Sequence, residues 1–225
     1  MAIGDPYASV AEYKARVDSS GSASDGDVAA QLQAICRYLD RRCGRFFGQD
    51  AAVQVRVYDG GDAILQRLDE HYIRWAMDAR TRLYLPDDIA TTTGLVVKVD
   101  LDNDHVYEQT LVINTDFWVG EPNAALGPEP QPYTWLQVVP SGSVLTTWPA
   151  NERSVQVTAI FGWPQVPGPV REATVMLARE LRDLQRSGYT LTLESIDAAV
   201  SVSPRGPAII HDIVKNYGRQ RRFFA

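Results

Sequence analysis

At 225 residues, with 45% apolar and 22% charged side chains, the chain has the composition of a folded globular protein of one large domain or two small ones; a wholly disordered chain is excluded. A formal net charge of -6 favours solubility and argues against a duplex-binding surface, which needs clustered Lys and Arg. No run of about 18 apolar residues occurs, so no membrane partner is expected.

The opening MAIGDPYASV lacks a basic start and an apolar run, which points to a protein made and kept in a reducing cytoplasm. Val10, Tyr13 and Val17 recur at helical spacing, so a first short helix is predicted over residues 7–17. The polar run SSGSASDGD breaks it, and Asp25 or Asp27 is the expected cap of the next helix. There Val28, Leu32, Ile35, Leu39, Cys43 and Phe46 form one apolar stripe, with Arg37, Asp40, Arg41 and Arg42 on the other faces and fraying at Gly44 and Gly48. Cys36 and Cys43 lie about 10 Å apart along that helix axis, too far for a disulfide.

From residue 51 the period changes from helical to alternating. VQVRVY places Val53, Val55 and Val57 on one face, and GLVVKVDL does the same with Leu95, Val97, Val99 and Leu101, so both read as half-buried strands. Further strands are predicted at 63–68, 72–75, 106–113, 117–119, 134–139 and 154–161, with turn clusters such as DGGD, DNDH and EPNAALGPEPQP between them. This composition predicts an antiparallel sheet system with long loops, and the tryptophans concentrated in it suggest an aromatic core. After GWPQVP the helical period returns. Pro167 or Pro169 suits a first turn, Val170, Ala173, Leu177, Leu181 and Leu184 make the buried stripe, and Gly188 ends it. A last helix is predicted over 207–217, followed by the tail of NYGRQRRFFA.

The expected fold class is therefore α+β, an α-helical bundle built from the N- and C-terminal helices with a β-rich antiparallel insertion and a C-terminal extension. The expected segments are 1–50 for the first helices, 51–161 for the insertion, 162–205 for the long helix and connector, and 206–225 for the terminal helix and tail.

Few residues suggest chemistry. Asp100, Asp102 and Asp104 fall at the first, third and fifth positions of an EF-hand-like loop, but His105 stands where Gly is needed and Leu111 where a bidentate Glu is needed. A solvated hairpin turn is the expectation, with a Ca²⁺-binding β module as an alternative. His71, His105 and His211 lack the paired spacing of zinc ligands. PSGSVL is not a nucleophile elbow, the cysteines lie on or beside the apolar stripe, and no phosphate-cradling glycine loop is present. Asp87 and Asp88 read as turn or capping residues. No enzyme, no metal and no cofactor are expected. The C-terminal segment stands apart: Ile209, Ile210, Ile213, Val214 and Tyr217 make an apolar face, and Arg219, Arg221, Arg222, Phe223 and Phe224 are residue types enriched in interface cores.

Three stretches, AICRYLDRRCGRFFG, TDFWVGEPNA with PYTWLQV, and VQVTAIFGWPQVPGPVREATVMLARELRDL, resemble the head-to-tail adaptor (head-tail connector) proteins of siphophages, particularly of actinobacteriophages. The resemblance spans about residues 34–184. It implies a structural virion protein that forms a dodecameric ring beneath the portal, passes DNA through its channel and meets a stopper or tail-completion protein below. It also implies assembly in the host cytoplasm, residence in the virion neck, and a C-terminal segment, Ile209 through Phe224, that grips the portal. Acidic residues facing the channel would limit phosphate sticking, with Asp100, Asp102 and Asp104 as candidates. A stopper or tail-completion role is the alternative within the class.

Overall fold

The structure, a computed structural model, describes residues 4–17, 24–60, 81–139, 141, 144–186, 200–201 and 203–219. The chain forms two compact units, Met1–Gly48 with Gln165–Ala225, and Gln49–Pro164. The fold is α+β, with N- and C-terminal helices flanking an antiparallel β-rich insertion.

The helical unit contains α1 (Val10–Val17), α2 (Asp25–Cys43), α3 (Gly168–Arg186) and α4 (Gly206–Tyr217). Helix α1 begins three residues later than its spacing suggested, because Ser9 and Glu12 form a capping box. The Ser9 hydroxyl accepts the Glu12 N–H at 3.1 Å, and the Glu12 carboxylate accepts the Ser9 N–H at 2.7 Å. The Ser9 N–H, assisted by the Ser9 hydroxyl, holds the Glu12 carboxyl below its ordinary range. The cap of α2 is Ser24, not Asp25 or Asp27: its side chain accepts the Asp27 N–H. At the other end Gly44 takes φ 66°, ψ 28°, a left-handed conformation that glycine adopts without steric penalty.

This early C-cap also corrects the expected apolar stripe. Val28, Leu32, Ile35, Leu39 and Cys43 are buried, but the helical period ends at Gly44, so Phe46 is 47% exposed and Phe47 takes the core position. Helix α2 packs against α1, α3 and α4, and α3 buries Val170, Ala173, Val175, Leu177, Ala178 and Leu181.

Among the described residues the second unit holds a six-stranded sheet of β1 (Gln54–Tyr58), β2 (Arg82–Val99), β3 (Gln109–Leu111), β4 (Phe117–Val119), β5 (Tyr133–Val138) and β6 (Val155–Phe161). Its order is β1-β6-β2-β5-β4, with β3 paired to β2, and every pairing of these strands is antiparallel. Strand β2 is long and irregular, with register shifts between Tyr84 and Ile89 and again between Ile89 and Val96, so its first half pairs β5 and its second half pairs β3 and β6. Alternation along β6 is clean. Val155, Val157, Ala159 and Phe161 face inward to meet Val97 and Val99 of β2 and Leu136 and Val138 of β5.

Two sequence expectations fail here for physical reasons. Val53, Val55 and Val57 share an exposed side, at 46%, 58% and 36% exposure. The inward side of β1 carries Arg56 and Tyr58: the guanidinium lies 4.1 Å from the Phe161 ring centroid and pairs with Asp50 at 3.1 Å and Asp87 at 2.7 Å. An arginine that stacks and pairs in this way satisfies a position that an alternation rule assigns to an aliphatic side chain. The tryptophans also divide: Trp148 and Trp163 are buried, whereas Trp118 is 42% exposed. The strands expected at 63–68 and 72–75 lie outside the described residues.

Candidate functional site

The C-terminal segment is positioned from its first turn. Gly206 is buried, and a Cβ there would lie 2.2 Å from the Ser203 hydroxyl and 2.5 Å from the Val200 carbonyl oxygen. Ser203 accepts the Gly206 N–H at 2.8 Å and donates to the Val200 carbonyl at 3.1 Å, locking the turn that starts α4. Pro207 follows in the first turn, where its missing N–H costs no helical bond.

Along α4, Ile210 and Ile213 are buried in their own unit, and Ile209, Val214 and Tyr217 are half-buried. His211 is exposed. The helix stops at Gly218, which is extended at φ -61°, ψ 141°, and Arg219 then donates its backbone N–H to the Cys43 carbonyl at 2.7 Å. That carbonyl is one of the last in α2, which lack intrahelical partners. Arg221, Arg222, Phe223 and Phe224 lie outside the described residues.

The take-off of the tail sits on a buried cluster that the sequence reading passed over. Phe47 is edge-on to Tyr217, with centroids 6.2 Å apart, and edge-on to Tyr7 at 5.8 Å. The Tyr7 hydroxyl accepts the Phe47 N–H at 2.9 Å and donates to Asp40 Oδ1. Arg37 Nη2 lies 3.3 Å from Asp40 Oδ2, and the Arg37 guanidinium lies over the rings of Tyr7 and Phe46. Burial pushes the Asp40 carboxyl up to about 6 against the opposing pull of Tyr7 and Arg37. Burial, then the Asp40 charge, drives the Tyr7 phenol far above its ordinary value. The available signal was Tyr7 beside Pro6 and the Phe46-Phe47 pair just past a helix-ending glycine.

The other candidates have structural work to do. Cys36 and Cys43 are free and buried, and burial raises both thiols to about 11, so neither is a thiolate at neutral pH. Cys36 Sγ accepts the Tyr7 N–H at 3.1 Å. Asp87 and Asp88 lie inside β2, not at its end. Asp87 pairs Arg56 and accepts the Tyr58 hydroxyl at 3.1 Å, while Asp88 is buried.

In the turn after β2, Asp100, Asp102, Asp104 and Glu108 bring carboxylate oxygens within 4.8 Å of one another; Glu108 was not foreseen. Asp100 is fully buried, and its carboxylate accepts the N–H groups of Asn103 at 2.7 Å and His105 at 2.8 Å. Burial alone would raise its carboxyl, but the backbone N–H groups of His105, Asn103, Asp104 and Asp102 together outweigh it and hold it low. The backbone turns through positive φ at Asn103 and His105, both 67°. Asp100 thus closes the hairpin turn.

No family model matches the chain, and no curated protein matches it. Solved structures do match it, among them the following two. One, described as "Neck of empty GTA particle computed with C6 symmetry", contains a chain that is 14% identical, with a TM-score of 0.54, 100% of this chain covered and 96% of that one. The other, "Virion of native gene transfer agent (GTA) particle", contains a chain that is 15% identical, with a TM-score of 0.52 and coverage of 100% and 96%. The likeness at this identity is one of fold, and it runs the length of both chains. Among the described residues no helix is long and apolar enough to cross a membrane.

Proposed function

We propose that this chain is a head-to-tail adaptor: a structural subunit of a particle neck that works by assembly and catalyses nothing. The observation that carries this reading is the likeness of fold, end to end, to chains from a gene transfer agent particle, one of them in a structure of its neck with sixfold symmetry. Copies of the chain would associate in a dodecameric ring around a DNA channel, between a portal and a stopper or tail-completion protein.

In this account α4 divides its labour. Ile210 and Ile213 hold it to its own bundle, and the half-buried Ile209, Val214 and Tyr217 lead into the docking residues Arg219, Arg221, Arg222, Phe223 and Phe224. The bond from Arg219 to Cys43 fixes the point from which the tail reaches the portal. Any ordering of the tail on docking carries an entropic cost that buried Phe and Arg contacts offset.

The test is a chain ending at Arg219, compared with the full chain for binding to portal rings from the same particle. The adaptor reading expects an unchanged melting temperature and lost portal binding. Undiminished binding by the shortened chain overturns the docking role, and binding only to isolated tails moves the protein to the stopper or tail-completion position.

A further inference from the structure

The outer side of the sheet carries an aromatic platform. The register places Arg82 beside Gln137 and Gln137 beside Trp118, with Tyr84 beside Trp135 in the next row. Residues paired across antiparallel strands project from the same side of a sheet, here opposite the buried Leu83 and Leu136. The Arg82 guanidinium lies 4.3 Å from the Trp135 ring centroid and bonds Gln137 at 3.0 Å. Trp135 lies over Gly120, where a Cβ would fall 1.8 Å from the indole. The sheet thus holds the indole in place, yet Tyr84 and Trp118 remain 49% and 42% exposed.

The loop between β4 and β5 has the complementary character. It is built around buried Ala124, whose N–H bonds the Glu121 carbonyl at 2.9 Å and whose own carbonyl accepts the Gln131 N–H at 2.7 Å. Leu126 N–H bonds the Asn123 carbonyl at 3.0 Å, and this internal bonding presents the Leu126 side chain at 72% exposure. Long loops with their own internal bonding are commonly functional, and a pre-organised apolar tip loses little entropy on docking.

We propose that the Leu126 loop of one copy of this chain docks on the Arg82, Tyr84, Trp118 and Trp135 platform of the next copy. The inference rests on the ring reading above and names the surface through which neighbouring copies meet. Charge matches across the contact: residues 121–132 carry Glu121 and Glu129 and no cation, whereas the platform carries Arg82 and no carboxylate. Their chemistry matches too, because proline-rich segments dock on aromatic faces, and this loop has prolines at 122, 128, 130 and 132. Two different patches on one chain make a head-to-tail contact, which closes into a ring where the rotation allows.

The test uses two full-length variants, Leu126→Asp and the pair Tyr84→Ala with Trp118→Ala, each followed by analytical ultracentrifugation under conditions where the native chain forms rings. Each variant alone is expected to keep its fold, by circular dichroism and melting temperature, and to stay monomeric. Their equimolar mixture should stop at one-to-one pairs, since one intact platform meets one intact loop. Ring formation by Leu126→Asp alone, or a mixture that gives no pairs, overturns the proposal. If the native chain forms no ring, alone or on portal, the ring reading itself falls and this contact falls with it.

Discussion

The backbone N–H of Arg219 donates to the carbonyl oxygen of Cys43 at 2.7 Å, tying the start of the C-terminal tail to the end of α2. The Phe47 ring, edge-on to Tyr217, packs at the same junction. On the docking proposal the tail needs a fixed origin, and this backbone bond would supply it without using the Arg219 side chain.

Substitutions at Arg219 therefore separate anchoring from docking. Arg219→Pro removes the N–H and leaves the Cys43 carbonyl without that donor, which should destabilise the helical unit by about 1 kcal/mol in denaturant unfolding. Arg219→Ala keeps the N–H, so it should cost less stability than Arg219→Pro while portal binding weakens.

Tyr7→Phe deletes a hydroxyl that serves two buried partners, the Asp40 carboxylate and the Phe47 N–H. Both would be left inside the fold with a missing bond. The expected loss is about 2–4 kcal/mol in chemical denaturation, far above that of a typical surface change. A loss within about 0.5 kcal/mol would mean that water reaches the cluster.

Asp40 gives the cluster a pH dependence of defined sign. Its folded value near 6 lies above its ordinary 3.8, so between about pH 4 and 6 the folded chain holds more protons at this site than the unfolded chain. Its contribution to stability is fully present below about pH 4, declines as pH rises, and is lost above about pH 6. The decline amounts to about 3 kcal/mol by linkage. Asp40→Asn should remove it. Measuring unfolding free energy for both proteins from pH 4 to 7 should show the native chain falling relative to the variant; parallel curves would contradict the burial argument.

Gly120→Ala probes the support of the aromatic platform. A methyl group cannot fit beneath the Trp135 indole, so the ring must move away and the Arg82 stack must loosen. A destabilisation of about 1–3 kcal/mol, with a shift in tryptophan fluorescence, is the expected outcome.

Much of this fold was legible because its helices announce themselves by period. The four-and-three steps from Val28 to Cys43 and the stripe from Val170 to Leu181 are buried as read, whereas Leu184 at the far end of its stripe is only half-buried and Asp40, assigned to an outer face, is buried. Capping was less legible: the run SSGSASDGD offers several capable side chains, and only the structure singles out Ser24. The sheet exposed a deeper ambiguity. Alternation assigns residues to two sides but does not say which side is wet, so Val55 pointed outward once Arg56 found Phe161, Asp50 and Asp87 on the inner side.

At the candidate site, the terminal helix was visible as an apolar pattern after Gly206-Pro207. The cluster of Tyr7, Asp40 and Phe47 was not, because its members lie as far as 40 residues apart and meet only through tertiary packing. The platform was hidden for a related reason: a tryptophan-rich composition suggests a core, and burial alone separates Trp148 from Trp118.

The most direct measurement is electron microscopy of this chain mixed with portal rings purified from the same particle. The adaptor account predicts an added ring of density that shares the portal symmetry, with the residues after Arg219 traced into portal subunits. Portal rings that stay bare at saturating concentrations of the chain would contradict it.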